Sequence, residues 1–156
     1  MAPSNPQVEQ HPEADHLFVE TIDLGEAVPR TVVSGLAKFM TREQLVGALV
    51  VCLCNLKPAA MRGVVSHAMV LCASDEAHAS LELVVPPADA AVGEPVTFPG
   101  FTGTPDVQLN PKKKVWEAVQ PELRTDDGCV ALYREAAFTT SAGPCRAASI
   151  SGGMVK

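Results

Sequence analysis

Residues 55–74, N-L-K-P-A-A-M-R-G-V-V-S-H-A-M-V-L-C-A-S, constrain the fold of this chain more than any other stretch. Pro58 fixes its own φ and Gly63 permits positive φ, and apolar, β-rich runs at 50–53 and 64–72 lead in and out. A Lys-Pro-x-x-x-Arg-Gly segment between two such runs reads as an ordered loop between strands. Lys57 and Arg62 are then held on a rigid edge. Further short strands are expected at 17–23, 29–36, 50–54, 66–72 and 81–85, each bounded by turn residues. Thr41-Arg42-Glu43-Gln44 fits a capping box, so one short helix should run from Arg42 to about Val46. Short strands with a single short helix point to a mainly β chain built around a small barrel.

The 156 residues suit one domain or two small ones, and 47% apolar residues suffice to bury a core. No apolar run approaches the length of a membrane helix, and the first residues lack the basic and apolar segments of a secretory signal. The expectation is a soluble cytoplasmic protein. Five cysteines, an odd number, lie mostly within apolar runs and read as buried thiols in a reducing compartment. Cys52 and Cys54 share one face of a strand, and their spacing matches no zinc knuckle.

A net charge of −6 argues at first against a polyanionic partner, but the charges are segregated along the chain. Residues 1–29 and 67–109 each hold six acids and no Lys or Arg, whereas 30–66 carries Arg30, Lys38, Arg42, Lys57 and Arg62 against Glu43 alone. Lys112, Lys113 and Lys114 then follow one another. Such segregation can give an acidic molecule one basic face.

Residues 1–10 show almost no apolar periodicity and are assigned no structure. His11 and His16, five apart with Pro12 between them, share neither a helix face nor a strand face and read as part of a polar turn. After Pro86-Pro87 the texture changes: Gly and Pro recur, and short strands are expected at 95–98, 129–133 and 136–140. A domain boundary follows, with residues 1–85 as the first unit and 86–156 as the second. The second unit's one helix should begin at Asn110-Pro111 and stop at Pro121. Trp116 and Val119, three apart, should face the core, so packing is favoured for Trp116 over the alternative of a base-stacking platform. Lys112, Lys113 and Lys114 would sit in that helix's first turn, where the macrodipole disfavours cations, so either solubility or an anionic partner explains them, and the loop at Lys57 and Arg62 favours the partner.

Catalysis finds little support. Ser66 and His67 are adjacent on an expected strand and point to opposite faces, so they form no nucleophile–base pair. The segment 100–103, G-F-T-G, has no Gly-Lys-Ser/Thr after it and makes no phosphate loop. No cofactor is expected.

Residues 55–74, together with H-P-E-A-D from His11, P-R-T-V-V-S-G-L at 29–36, L-N-P-K-K-K-V-W at 109–116, Q-P-E-L at 120–123 and Cys145-Arg146, are collinear with one family. The chain resembles the tRNA-binding domain of endothelial monocyte-activating polypeptide II, also found at the C-terminus of some eukaryotic tyrosyl-tRNA synthetases and in methionyl-tRNA synthetase appendices. The resemblance runs from about Val8 to Lys156. It implies a five-stranded OB-fold barrel up to about residue 85, a small appended β-rich domain packed on it, and a monomer. It also implies tRNA binding by shape in support of an aminoacyl-tRNA synthetase or a multi-synthetase complex. The implied contacts are Asn55, Lys57, Met61, Arg62 and Ser66, with Arg30, Ser34, Lys38 and Arg42 nearby and Lys112, Lys113, Lys114 and Arg146 from the second unit. The family carries an apolar strand ahead of the H-P-x-A-D segment where this chain offers only Val8. The first barrel strand is therefore expected to be shortened or replaced, leaving backbone groups of its neighbour without partners.

Two other functions remain open at this point. Fragments of the family act as extracellular cytokine-like polypeptides, but the stretch associated with signalling is the one this chain lacks, and five thiols suit the cytosol better. An OB module binding protein or single-stranded nucleic acid is the other, against which stands an aromatic content of 4%, since base stacking calls for aromatic platforms.

Overall fold

The computed structural model describes residues 4–156 and is mainly β. Strands β1 (Ser4–Gln10), β2 (Phe18–Asp23) and β3 (Arg30–Ser34) form an antiparallel sheet in that order. β1 corrects the expectation of a structureless start and a missing first strand. It pairs with β2 from Gln10↔Phe18 to Ser4↔Asp23, with one irregularity between Ser4 and Gln7. Strand pairing is made by backbone groups and needs no apolar run. Here one side chain, Val8, fully buried, ties the strand to the core, while Gln7 and Glu9 face solvent and the Gln10 amide donates to Ala14 O and Leu17 O. The unpaired backbone groups expected on the neighbour are thus supplied with partners. Residues 1–3 lie outside the described residues.

The capping box forms as read. Thr41 Oγ1 accepts from the Gln44 N–H, Gln44 Oε1 accepts from the Thr41 N–H at 2.7 Å, and α1 (Arg42–Leu45) buries Leu45.

β4 (Cys52–Leu53) pairs with β7 (Met69–Val70), and β5 (Ala59–Met61) with β6 (Val64–Ser66). The single strand expected over 66–72 is therefore broken into β6, β7 and β8 (Cys72–Ser74). The cause lies at Ser66 and His67: the Ser66 hydroxyl donates to Ala68 O, and the His67 N–H donates sideways to Thr31 O on β3, so the chain bends there. β9 (Leu81–Leu83) follows and pairs with β8.

The expected helix over 111–121 is also interrupted. Asn110 caps a 3-10 turn at Pro111–Lys113 by accepting from the Lys112 N–H, as its N-cap reading required. Lys114 then adopts φ 51, ψ 39, the left-handed region, and only α2 (Val115–Val119) is α-helical before a second 3-10 turn at Gln120–Glu122. The three lysines thus precede α2 instead of occupying its first turn, and the dipole argument drawn from that position does not apply to them. Trp116 and Val119 do pack on the core.

β10 (Leu123–Thr125), β11 (Ala131–Tyr133), β12 (Ala136–Ala137), β13 (Thr139–Thr140), β14 (Gly143–Pro144) and β15 (Met154–Val155) complete the chain. The largest sheet has the order β12-β11-β10-β15-β8-β9, so β15 joins strands from early and late in the sequence through Met154↔Ser74 and Val155↔Ala73. Among the described residues no sheet closes on itself.

Two cores lie on either side of a shared wall. Val50 and Cys52 turn into one with Val8, Phe18, Ile22 and Leu45, whereas Val51 turns into the other with Leu123, Phe138, Cys145 and Val155. Val70 and Cys72 face the first core while Leu71 and Ala73 face the second. A strand buried on both faces needs apolar residues at every position, which is why 48–54 and 68–73 read as unbroken apolar runs. Glu82 fastens the late segment to this wall by accepting from the Ser149 N–H, the Ser149 hydroxyl at 2.6 Å and the Ile150 N–H. Those bonds hold its carboxyl below the usual range against the opposing effect of burial.

Candidate nucleic-acid interface

The expected loop between Lys57 and Arg62 is a β-hairpin. β5 and β6 pair through Ala59↔Ser66, Ala60↔Val65 and Met61↔Val64, which leaves Arg62 and Gly63 as a two-residue turn with φ of 54° and 87°. Positive φ at both central residues is the primed turn whose twist matches that of the flanking strands. Gly takes it freely, whereas Arg62 does so at some backbone cost, so the hairpin must be held from outside.

Two anchors hold it. At the base, Ser66 is 8% exposed; its hydroxyl oxygen accepts from the Val33 N–H and donates to Ala68 O, both at 2.9 Å. Near the tip, the buried ring of His11 bonds Met61 O through Nε2 at 3.0 Å, while Nδ1 accepts from the Glu13 N–H. The Met61 side chain and Val64 pack on Ala14, Leu17 and Val33. The polar turn expected around His11 is thus a buried strut; the family motif H-P-E-A-D marked it, but spacing alone gave no hint of its partner fifty residues away. His16 is exposed.

Lys57 and Arg62 are exposed, and among the described residues neither has a carboxylate at ion-pair distance; the ion pairs there are Arg30–Glu26 and Arg134–Glu122. Asn55, two residues before Lys57, donates from Nδ2 to Asp106 O and accepts at its backbone carbonyl from the Leu109 N–H at 2.6 Å. This tie holds Leu109, three residues before the exposed Lys112, against Asn55. Asn55 Oδ1 is buried without a partner among the described residues.

Beside Lys57 a cleft of about 510 Å³ is lined by residues including Ser34, Met61, Ser66 and Lys57 from the first half, and Trp116, Gln120 and Lys156 from the second. Trp116, Gln120 and Lys156 had no place among the expected site residues, because their approach to Lys57 depends on tertiary packing.

Of the remaining expected residues, only Ser34 also lines this cleft. Arg30 spends four N–H donors internally: two on Glu26 at 2.7 and 2.9 Å, and two on the carbonyls of Cys54 and His67. The hydrogen bonds from Arg30 lower the Glu26 pKa, and the same bonds raise that of Arg30. Ser34, 9% exposed, donates to the fully buried Glu20. Arg42 donates from Nε to Val8 O and so satisfies a carbonyl of the edge strand β1. Lys38 is exposed. Arg146 lines a separate depression with Val85, Pro86, Pro87 and Pro144. The structure therefore brings Ser34, Lys57, Met61 and Ser66 to one cleft, with Arg62 next to Met61 at the hairpin tip, and does not bring Arg146 there.

A family model described as "Putative tRNA binding domain" matches residues 6–95. A cytoplasmic methionine–tRNA ligase of Arabidopsis thaliana is 53% identical over 150 residues, 96% of this chain and 19% of the ligase. The aminoacyl tRNA synthase complex-interacting multifunctional protein 1 of Mus musculus is 50% identical over 148 residues, 94% of this chain and 47% of that protein. The chain thus spans from about a fifth to about half of the length of these curated relatives. Among solved structures, the C-terminal domain of Plasmodium vivax p43 superposes with a TM-score of 0.93 at 32% identity, covering 100% of this chain and 94% of that one. With a family model matched over more than half of its residues and a solved relative superposed along its whole length, the chain belongs to the tRNA-binding domain family.

Proposed function

We propose that this chain is a non-catalytic module that binds tRNA through its shape and backbone and thereby assists an aminoacyl-tRNA synthetase or a multi-synthetase complex. The observation that carries the reading is the pinned hairpin: Arg62 stands at its tip and Lys57 two residues before its first strand, neither with a carboxylate at ion-pair distance among the described residues, on a molecule of net charge −6. Arg62 offers phosphates a planar fork and Lys57 a point charge, and the Lys112–Lys114 turn extends the same cationic edge. Ser66, Ser34 and Arg30 act from within, by placing β3, the hairpin and the 50s strand, since their polar groups are engaged inside the protein.

In this reading residues 1–85 form an OB-fold barrel and 86–156 an appended domain, with the monomer as the working unit. The sheet shared through β15 and the two-faced wall at 50–53 favour a fixed docking of the two parts.

The test is a fluorescence titration with total tRNA at about 50 and 200 mM salt. With some four or five phosphates neutralised, log K should fall against log salt with a slope of roughly −3 to −5. Tighter binding of oligo-dT than of tRNA would instead support a single-strand-binding module.

A further inference from the structure

The cleft beside Lys57 has a composition unlike the rest of the cationic edge. Met61 of the hairpin, Met69 of β7, and Trp116 and Gln120 from the α2 side contribute to its lining, and the exposed Lys57 and Lys156 stand among its lining residues. Its volume of about 510 Å³ lies within the range of small-ligand sites, roughly 300–1,000 Å³. Duplex RNA is far too wide to enter such a space, whereas a single flat ring system is not. Thioethers and an indole are polarizable surfaces on which an aromatic ring packs well. The Gln120 amide and the Trp116 indole N–H have no hydrogen-bond partner among the described residues, so both acceptor and donor groups are available to a ring edge. The lysines place positive charge where the phosphates flanking an inserted ring would lie.

We infer that this cleft takes one unstacked nucleobase of the RNA whose backbone is held at Lys57 and Arg62. The inference rests on the tRNA-binding reading and adds a discriminating element to it: binding by backbone and shape alone is indifferent to unpaired nucleotides, whereas a base cleft is not. Sequence choice stays weak, because every base presents a π-face and one glutamine reads few edges.

The chain has a single tryptophan, so its intrinsic fluorescence reports on Trp116 directly. Three probes are titrated into the intact protein: total tRNA, a blunt RNA duplex of about 20 base pairs, and the same duplex with one bulged adenosine. The expected result is quenching of Trp116 by tRNA and by the bulged duplex but not by the blunt one, with the bulged duplex bound on the order of tenfold more tightly. Gln120→Ala should reduce that preference severalfold and leave the affinity for the blunt duplex unchanged. Because Trp116 also packs on the core, Gln120→Ala and the wild-type quenching carry the test even where Trp116→Leu fails to fold. Equal affinity for the two duplexes without quenching overturns the base cleft, and binding of tRNA in the same experiment leaves the tRNA reading standing. Failure of tRNA itself to bind overturns both. Quenching by an unstructured apolar peptide, with none by the bulged RNA, overturns the inference and makes the cleft a peptide groove.

Discussion

His11 and Met61 are fifty residues apart in sequence and 3.0 Å apart in space, joined from imidazole Nε2 to backbone carbonyl. Because Nδ1 accepts from the Glu13 N–H, the proton sits on Nε2, and His11 is the donor to the residue immediately before Arg62. The ring is 3% exposed, so both bonds are made out of water.

His11→Ala leaves the Met61 carbonyl and the Glu13 N–H short of a partner and should cost about 1–3 kcal/mol of stability, read as a shifted denaturant midpoint. It should also weaken tRNA binding without touching RNA, because the strut sets where Arg62 points. A double-mutant cycle checks this: in an Arg62→Ala background, His11→Ala should have little further effect on affinity, whereas additive losses would mean the two act independently.

The wall thiols make stability fall at alkaline pH. Burial pushes the Cys72 thiol up to about 12 and pushes Cys52 up as well. An unfolded thiol ionises near 8.5, so above that pH the folded state binds more protons than the unfolded one. The sign is then fixed: these thiols leave stability unaffected below about pH 8.5, and between there and about 12 each lowers it by about 1.4 kcal/mol per pH unit. Chemical denaturation at pH 9.5 and 10.5 should show the decline, and Cys72→Ala should make it shallower by about one thiol's share. Other alkaline groups are common to both proteins and cancel.

Gly93 binds the segment after the double proline to the end of β2. A Cβ there would lie 2.5 Å from Leu24 O and 2.8 Å from Gly25 Cα, and φ is +83°. Gly93→Ala should therefore be strongly destabilising. Gly100, with φ +86° and nothing within 4 Å of an added Cβ, separates the two causes. Gly100→Ala should show only the backbone cost, about 1 kcal/mol, and Gly93→Ala distinctly more by thermal denaturation.

What the sequence disclosed follows the range of the interaction concerned. The Thr41–Gln44 box and the Asn110 cap depend on neighbours within a few residues, and β2 and β3 carry their own buried apolar residues, so their signals are local. β1 was hidden because its partners belong to β2 and its only apolar mark is Val8. The break at Ser66 depends on Val33 and Thr31, and the left-handed Lys114 on the packing of α2, neither of which leaves a trace in spacing. At the candidate site, residue type pointed correctly to an exposed Lys57 and Arg62. It left no sign that Arg30 donates to the carbonyls of Cys54 and His67, because these come from other strands.

The central claim is that positive charge carried by the pinned hairpin engages folded RNA. Its most direct test is the salt dependence of tRNA affinity for the wild type and for Lys57→Ala with Arg62→Ala, after circular dichroism has shown both to be folded. The slope of log K against log salt should flatten by roughly 1 to 2 in the double variant, with weaker binding at every salt concentration. An unchanged slope would contradict the claim and move the interface elsewhere on the molecule.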